Sequence, residues 1–566
     1  MTEEERFKIT DNNFYDLLVE YDRNTRIFEQ FPQGTPHIIN SRFAVIYMPM
    51  ETVTVQTIPR LGFFKVPGAY GLMSKASLDA SGITRIRTSP VFNLRGSGVI
   101  IGILDTGIDY TNPVFIKPDG TSKIIALWDQ TIESEQPPLP YFYGTEYLNE
   151  TINEALASEN PLEVVPSTDE NGHGTMLAGI AVGNEDEEND FSGVVPDADL
   201  IVVKLKQMKQ LIRDANLIPP DVPAYQENDL MWGIQYIVTT ARRLQRPLSI
   251  CIGMGSSLGA HTGRSPLGAM TSAVADYSGV VVTVAAGNEG NGRRHFFSTI
   301  NPSIGYATME LNVAEGETGF IMEVWGAAPN TYSVDILSPS GEYVPRIEES
   351  IRVNRTISFI FERTQIYLDY IMVEPIVGDQ VIYLRFANPT PGVWRFQVYS
   401  RGEFEGSVNA WLPIRDFVLQ DTYFIQSNPY TTITSPGNAM TPMTVTAYNT
   451  ANNNLYPNAS RGYSRTGIIK PEFAAPGVNI KAPTLNKGFA RMTGTGAAAA
   501  HTAGVAAMLL EWGIVRGNYS GVDTVEIKNF IIRGARRSDN LIYPNRDWGY
   551  GILDVFNVFD VLRSVI

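Results

Sequence analysis

One stretch organises this chain of 566 residues, Gly494-Thr495-Gly496-Ala497-Ala498-Ala499-Ala500-His501-Thr502-Ala503-Gly504. Its glycines predict a tight turn, and its small residues predict a helix that begins at that turn. A turn of this kind can hold one side chain at the N-terminus of the helix, where a nucleophile would be exposed for attack. Here glycine, at Gly496, occupies the position that such a side chain would take.

Two earlier stretches supply groups that could work beside such a turn. Residues 99–107, VIIGILDTG, are an apolar run that ends in Asp105, and residues 171–175, NGHGT, place His173 between glycines. A carboxylate at the end of a buried strand can orient a histidine and stabilise its imidazolium form. The chain order of Asp, then His, then a turn that opens a helix is that of one known catalytic triad, whose last member is a serine.

The middle of the chain predicts an α/β domain. Continuous apolar, β-branched runs are typical of strands that are buried on both faces of a parallel sheet. Four such runs occur, at residues 99–104, 200–203, 248–254 and 279–285. Helical patterns lie between and after them, at residues 229–243, 498–513 and 523–535. This alternation predicts a doubly wound parallel sheet.

Two further regions differ from this pattern. Residues 1–70 predict a small α+β unit, with helical spacing over 14–20 and a strand over 42–48. Short alternating strands separated by turns fill residues 306–432 and predict an antiparallel β domain. Because α/β signals resume afterwards, we expect this β domain to be inserted in the core, whose two parts are residues 71–305 and 433–566.

Composition excludes several classes of function. The formal net charge of −16 opposes nucleic-acid binding, which needs clustered Lys and Arg. The single cysteine, Cys251, lies in an apolar run and is expected to be buried rather than catalytic. The acidic, polar N-terminus does not resemble a signal peptide, and no long apolar run predicts a membrane span. The histidines show no metal-ligand spacing, so we expect neither a metal site nor a cofactor.

Four ordered motifs resemble those of the subtilase family. They are DTG with Asp105, GHGT with His173, AAGNEG with Asn288, and GTG at residues 494–496, where the family has GTS. The resemblance implies a subtilisin-like fold, a former triad of Asp105, His173 and Gly496, and an oxyanion position at Asn288. It also implies that Gly253 and Gly255 lie on the strand that pairs with substrate, where the family has a serine in place of Gly253.

A narrower resemblance, to the Csp subtilases of clostridial spores, covers nearly the whole chain. It rests on the inserted β region, on WDQ at 128–130, on YGTEY at 143–147 and on YPNRDWGYG at 543–551. It implies an N-terminal prodomain over residues 1–70 and a jelly-roll insertion. It further implies a place in the outer layers of the spore, near cortex and coat, with other Csp proteases or the cortex-hydrolase precursor as partners. A small-molecule germinant is implied by analogy with pseudoprotease relatives.

Gly496 separates the functional hypotheses. Glycine has no hydroxyl, so the favoured interpretation is a pseudoprotease that acts in germination by binding, with its prodomain retained. The first alternative is a working endopeptidase that processes the cortex-hydrolase precursor, with Thr493, Thr495 or a water molecule activated by His173 in place of the serine. The second is a structural partner that stabilises another Csp protein without responding to a ligand.

Overall fold

A nine-stranded sheet forms the centre of the protein, whose computed structural model describes residues 3–52, 67, 69–72, 79–135, 137–349 and 351–563. The four apolar runs pair in parallel within it, which confirms the predicted sheet. Across the sheet the strands are Asn454–Leu455, Met443–Asn449, Val280–Ala285, Leu248–Ile252, Ile100–Asp105, Asp199–Lys204, Ile124–Asp129 and Thr145–Leu148, and Phe473–Pro476 pairs in parallel with Met443–Asn449 as the ninth.

Helices cover both faces of this sheet, and alternate residues of each strand contact them. Ile101 and Ile103 belong to one core cluster, whereas Ile100 and Leu104 belong to the other. The first cluster holds the helices His173–Val182, Thr495–Leu510, Thr524–Gly534 and Val555–Arg563, and the second holds Glu227–Arg243 and Pro266–Ala275. Shorter helices span Ile83–Thr88, Asn149–Ala157, Pro161–Val164 and Gln210–Asn216. Two apolar layers on one sheet explain why the strands are apolar on every residue.

The helix that begins at Thr495 lies at the centre of the first layer. Every residue from Thr495 to Leu510 is buried, and Gly504 allows close contact because a Cβ there would lie 2.5 Å from Cβ of Val194. Thr495–Val515 is the one stretch of the described residues that is long and apolar enough to cross a membrane. It is 83% buried inside the fold, as is typical of a core helix.

The inserted β domain is a two-layered antiparallel sandwich. One sheet contains His295–Ile300, Gly406–Trp411, Gly319–Gly326, Gln380–Ala387, Gln365–Ile371 and Arg352–Ser358, and the other contains Tyr343–Ile347, Thr331–Leu337, Gly392–Arg401, Tyr306–Val313 and Tyr423–Phe424. The sequence placed the start of this domain at residue 306. His295–Ile300 nevertheless pairs with Gly406–Trp411, so the sandwich takes in residues before 306. The first two residues and the last residue of this strand are buried. Because burial does not alternate with a period of two, the sequence pattern does not indicate a strand here.

The N-terminal domain packs one helix, Glu3–Thr10, with a three-stranded sheet of Phe14–Glu20, Phe43–Pro49 and Thr35–Ile38. The predicted helical spacing over 14–20 is wrong, because these residues form a strand paired with Phe43–Pro49. Five consecutive residues of that strand are buried, since both of its faces are covered. A short run that is buried on both faces has no period of two, and its pattern cannot be distinguished from that of a helix.

A small sheet joins the N-terminal part of the chain to the core. Residues Ala69–Leu72 pair antiparallel with Met254–Gly255 on one edge and with Tyr225–Gln226 on the other. Gly71 and Leu72 lie opposite Gly255 and Met254, and Ala69 and Tyr70 lie opposite Gln226 and Tyr225. We call this three-stranded unit the cleft sheet. Its central strand comes from the N-terminal part of the chain, and its two edges come from the core.

Candidate functional site

Asp105 and His173 form a buried pair at the carboxyl end of the central sheet. Asp105 is the last residue of its strand and His173 the first residue of its helix. Nδ1 of His173 lies 2.8 Å from Oδ1 of Asp105, and the side chain of His173 is 7% exposed. A carboxylate can only accept, so Nδ1 carries the proton and donates it to Asp105. This arrangement leaves Nε2 as the ring nitrogen that could act as a base.

Asp169 links the end of the strand that carries Asp105 to the start of the helix that carries His173. Its Oδ1 accepts from the hydroxyl of Thr106, the residue after Asp105, at 2.8 Å. Its Oδ2 accepts from the hydroxyl of Thr175 at 2.7 Å, and both of its oxygens take backbone N–H groups at the start of the His173 helix. Asp169 was not among the residues predicted from the sequence. The N-cap position is Gly172, three residues later, so no local capping signal marks Asp169.

Glycines allow the backbone to approach this pair closely. A Cβ on Gly174 would lie 2.2 Å from the carbonyl oxygen of Gly107 and 3.1 Å from Cβ of Asp105, so only glycine fits. Gly253 lies beside the imidazole, because a Cβ there would be 3.5 Å from Cε1 of His173. That Cβ would also lie 2.6 Å from Cδ1 of Leu177, so any side chain at Gly253 requires Leu177 to shift.

Asn288 is fixed to the start of the helix that carries Gly496. Its Oδ1 accepts from the backbone N–H of Thr495 at 3.1 Å and from the hydroxyl of Thr495 at 3.2 Å. The same hydroxyl accepts from the backbone N–H of Gly287 at 3.0 Å. Oδ1 of Asn288 is therefore engaged by the start of this helix. Gly496 is the second residue of the helix and is buried.

The structure thus brings the predicted site residues into one region. Asp105 and His173 are hydrogen-bonded, a Cβ on Gly253 would meet both, and Asn288 is bonded to the residue before Gly496. The helices that begin at His173 and Thr495 pack against each other. Gly255 lies further along the same cleft, opposite Gly71 in the cleft sheet.

Three further histidines and the single cysteine are buried in the packed interior. Trp411 stacks between His261 and His295, with ring centroids 4.2 Å and 4.8 Å away, and burial lowers the pKa of these imidazoles to about 3 and about 4. Burial also lowers the pKa of His501 to about 3 and raises that of Cys251. Within the described ranges, no cluster of three His, Cys, Asp or Glu side chains could hold a metal ion.

Comparison with known proteins agrees with this geometry. The sequence profile of the subtilase family matches residues 96–309 and 416–551, which leaves out most of the sandwich. The solved structure of the Clostridium perfringens CspB protease is similar over 86% of this chain and 97% of that chain, with a TM-score of 0.77 and 30% identity.

Two curated sequence relatives are more distant. Subtilisin from Bacillus sp. (strain TA39) is 27% identical over 277 residues, which are 47% of this chain and 54% of that protein. The subtilisin-like protease SBT1.9 of Arabidopsis thaliana is 26% identical over 506 residues, 80% of this chain and 61% of that protein. The chain therefore spans between half and two thirds of the length of these relatives. The family profile covers more than half of the chain, and the chain belongs to the subtilase family.

Proposed function

We propose that this subtilase is a pseudoprotease of the Csp type, which acts in spore germination by binding rather than by cleavage. Gly496 carries the proposal, because it stands where the family motif has its serine while Asp105, His173 and Asn288 are retained. Glycine offers no oxygen that could form an acyl-enzyme. In subtilisin, removal of the serine lowers kcat by about 2 × 10⁶.

The neighbouring hydroxyls support this proposal, because they are engaged elsewhere. The hydroxyl of Thr495 donates to Asn288 and accepts from Gly287, so it serves the helix start. The hydroxyl of Thr493 accepts from the backbone N–H of Asn479 at 3.1 Å. Attack by water activated by His173 would lack the covalent intermediate that divides the reaction into two easier steps.

The cleft sheet favours a binding role over turnover. Residues Ala69–Leu72 form backbone hydrogen bonds with both edges of the groove, where an extended substrate would pair. A chain that cannot cut itself would keep this strand and the N-terminal domain covalently attached. We propose that the retained surface binds another Csp protease or the cortex-hydrolase precursor near cortex and coat, and that a small-molecule germinant controls this contact.

Intact-mass analysis tests the missing nucleophile. The wild-type chain is compared with Gly496→Ser, with Gly496→Ala as the matched control that adds a Cβ without an oxygen. We expect wild type and Gly496→Ala to stay full length, and Gly496→Ser to lose an N-terminal piece. Adding His173→Ala to Gly496→Ser should prevent that loss, because the serine then has no base.

Two other outcomes would change this interpretation. If the wild type is already cut and His173→Ala prevents the cut, the protein is a working endopeptidase and the proposal is wrong. If neither wild type nor Gly496→Ser is cut, changes beyond Gly496 have disabled the site. Capture of a cortex-hydrolase precursor or a Csp protease by the wild-type chain, with and without germinant, then distinguishes a sensor from a structural partner.

A further inference from the structure

A largely apolar cavity of about 160 Å³ lies between the core and the sandwich. The core contributes residues of the loop 256–266, and the sandwich contributes side chains that include Trp325, Ile371 and Val381. Apolar cavities of about 150 Å³ can hold benzene, so this one has room for a small ligand of similar bulk. Charged groups line it as well, and among the described residues these are Glu227, Glu323, Glu374 and the exposed Arg264.

The strand Gly319–Gly326 places Glu323 and Trp325 at this cavity. Alternate side chains of a strand point to opposite faces of the sheet. Met322 and Val324 belong to the apolar cluster inside the sandwich, so Glu323 and Trp325 lie on the opposite face, where the sandwich meets the core. Glu323 is nevertheless only 8% exposed. A carboxylate on the outer face of a sandwich is therefore enclosed here by a second domain.

Glu323 is bonded to the protein through one of its two oxygens. Its Oε2 accepts from Nε1 of Trp325 at 2.9 Å and from the backbone N–H of Gly259 at 2.8 Å. Its Oε1 has no hydrogen-bond partner among the described residues, and it is not sealed from solvent. Each oxygen of a carboxylate can accept hydrogen bonds, so Oε1 can take a donor from a ligand.

Glu374 has the same arrangement in the turn before the strand Gln380–Ala387. The residue is 4% exposed, and its Oε2 accepts from the backbone N–H groups of Ile376 at 3.1 Å and Val377 at 2.8 Å. Its Oε1 likewise has no partner in the described part of the chain and is not sealed from solvent. Burial raises the pKa of Glu323, and the charge of Glu374 raises it further, so the two carboxylates interact.

The arginines of this region leave the two carboxylates without a counterion. Arg465 lies over the ring of Trp325, but its Nη2 donates to Asp379 at 2.6 Å. Its charge lowers the pKa of Glu374 only in part, because burial still keeps that pKa raised. Arg264 is exposed and forms no ion pair with a described residue. A buried carboxylate without a counterion is unfavourable, and a bound cation would supply one.

We propose that this cavity binds a small organic ammonium ion, held by Oε1 of Glu323 and Oε1 of Glu374, with its apolar part against Trp325. An ammonium group has three donors, and charge-assisted hydrogen bonds to carboxylates are strong. The apolar walls favour an organic cation over Ca²⁺, which takes about six to eight oxygen ligands. The proposal does not depend on whether Gly496 abolishes proteolysis.

Calorimetric titration of the full chain tests this site. The probes are phenethylamine, its neutral counterpart phenethyl alcohol, the smaller butylamine, and calcium chloride. We expect at least one amine to bind saturably. Phenethyl alcohol should bind at least about tenfold more weakly than phenethylamine, since it fits the same walls but lacks the positive charge.

Three variants locate the binding. Glu323→Gln and Glu374→Gln each keep an acceptor for the backbone N–H groups but remove the charge, and we expect the affinity for the amine to fall about tenfold or more. Their affinity for phenethyl alcohol should change little. Glu403→Gln is the matched control and should bind as the wild type does, because Glu403 is exposed on the sandwich and does not line the cavity.

The proposal fails if neither amine binds saturably to the wild type, or if phenethyl alcohol binds as tightly as phenethylamine. It also fails if Glu323→Gln and Glu374→Gln bind the amine as the wild type does, or if Glu403→Gln weakens binding as much as they do. Calcium binding that Glu323→Gln abolishes, without amine binding, would assign the cavity to a metal ion instead. Thermal unfolding of each variant without ligand accompanies the titrations. Should Glu323→Gln not fold, Glu374→Gln against Glu403→Gln decides the question.

Discussion

Removal of the Asp16 carboxylate should release the N-terminal domain from the core. Asp16 is fully buried in the strand Phe14–Glu20 and accepts from Nζ of Lys209 at 2.6 Å. It also accepts from the side-chain amides of Gln226 at 3.1 Å and Asn228 at 3.3 Å, so three core residues converge on it. The ammonium of Lys209 keeps two backbone carbonyl acceptors, on Lys8 and Phe14, when the carboxylate is gone. Its charge, however, would then be buried without a counterion.

The expected magnitude follows from this burial. Breaking a buried ion pair by removing one partner costs about 3–5 kcal/mol. Each 1.4 kcal/mol is a factor of ten, so Asp16→Ala should raise the population of the opened N-terminal domain by about 10²- to 4 × 10³-fold. Glu20→Ala is the matched control on the same strand, since Glu20 pairs with Arg42 at the surface, where both side chains are about one third to one half exposed. An exposed pair contributes less than about 1 kcal/mol.

Hydrogen–deuterium exchange of the intact protein provides the assay, because it measures local opening without requiring two-state unfolding. We expect amides of Phe14–Glu20 to exchange about 10²- to 4 × 10³-fold faster in Asp16→Ala and only a few-fold faster in Glu20→Ala. The double variant Asp16→Leu with Lys209→Met should recover much of the protection, because it removes both buried charges. Equal acceleration in Asp16→Ala and Glu20→Ala would refute the reasoning.

Three further predictions concern the site and its supports. Gly174→Ala should destabilise the core by about 1–3 kcal/mol in urea, because its Cβ would lie 2.2 Å from the carbonyl oxygen of Gly107; no loss would mean that the backbone can move. Thr495→Val should cost about 1–3 kcal/mol, since it removes the hydroxyl between Asn288 and Gly287; Thr495→Ser should retain most of this stability. Burial lowers the pKa of His37 to about 4, below its ordinary value of 6.5. The unfolded chain therefore binds a proton that the folded chain does not, and stability falls as the pH drops from 6.5 toward 4, by up to about 1.4 kcal/mol per pH unit. Urea titrations of His37→Gln should show a shallower fall over that range, and an unchanged slope would contradict the assignment.

The central sheet could be predicted from sequence because its chemistry is local. A strand between two helix layers is apolar on nearly every residue, and residues 99–104 and 279–285 show this directly. The Asp105–His173 pair could also be predicted, since each residue lies in its own short motif. The strand Phe14–Glu20 could not, because burial on both faces in a short run leaves no period by which to distinguish a strand from a helix.

Long-range polar contacts could not be predicted from the sequence, for a different reason. Asp16 and Lys209 are 193 positions apart, and nothing local to either residue specifies the other. Asp169 is a further case. It lies three residues before the N-cap, Gly172, and its bonds to Thr106 and Thr175 depend on the fold.

The cleft sheet has a consequence for any peptide that encounters this protein. A segment tethered to its own binding groove competes as though it were present at about millimolar concentration. Ala69–Leu72 is such a segment, and it bonds to both edges of the groove. A free peptide of equal intrinsic affinity would therefore have to exceed millimolar concentration to displace it. This competition protects the groove from passing peptides for as long as the segment stays covalently attached.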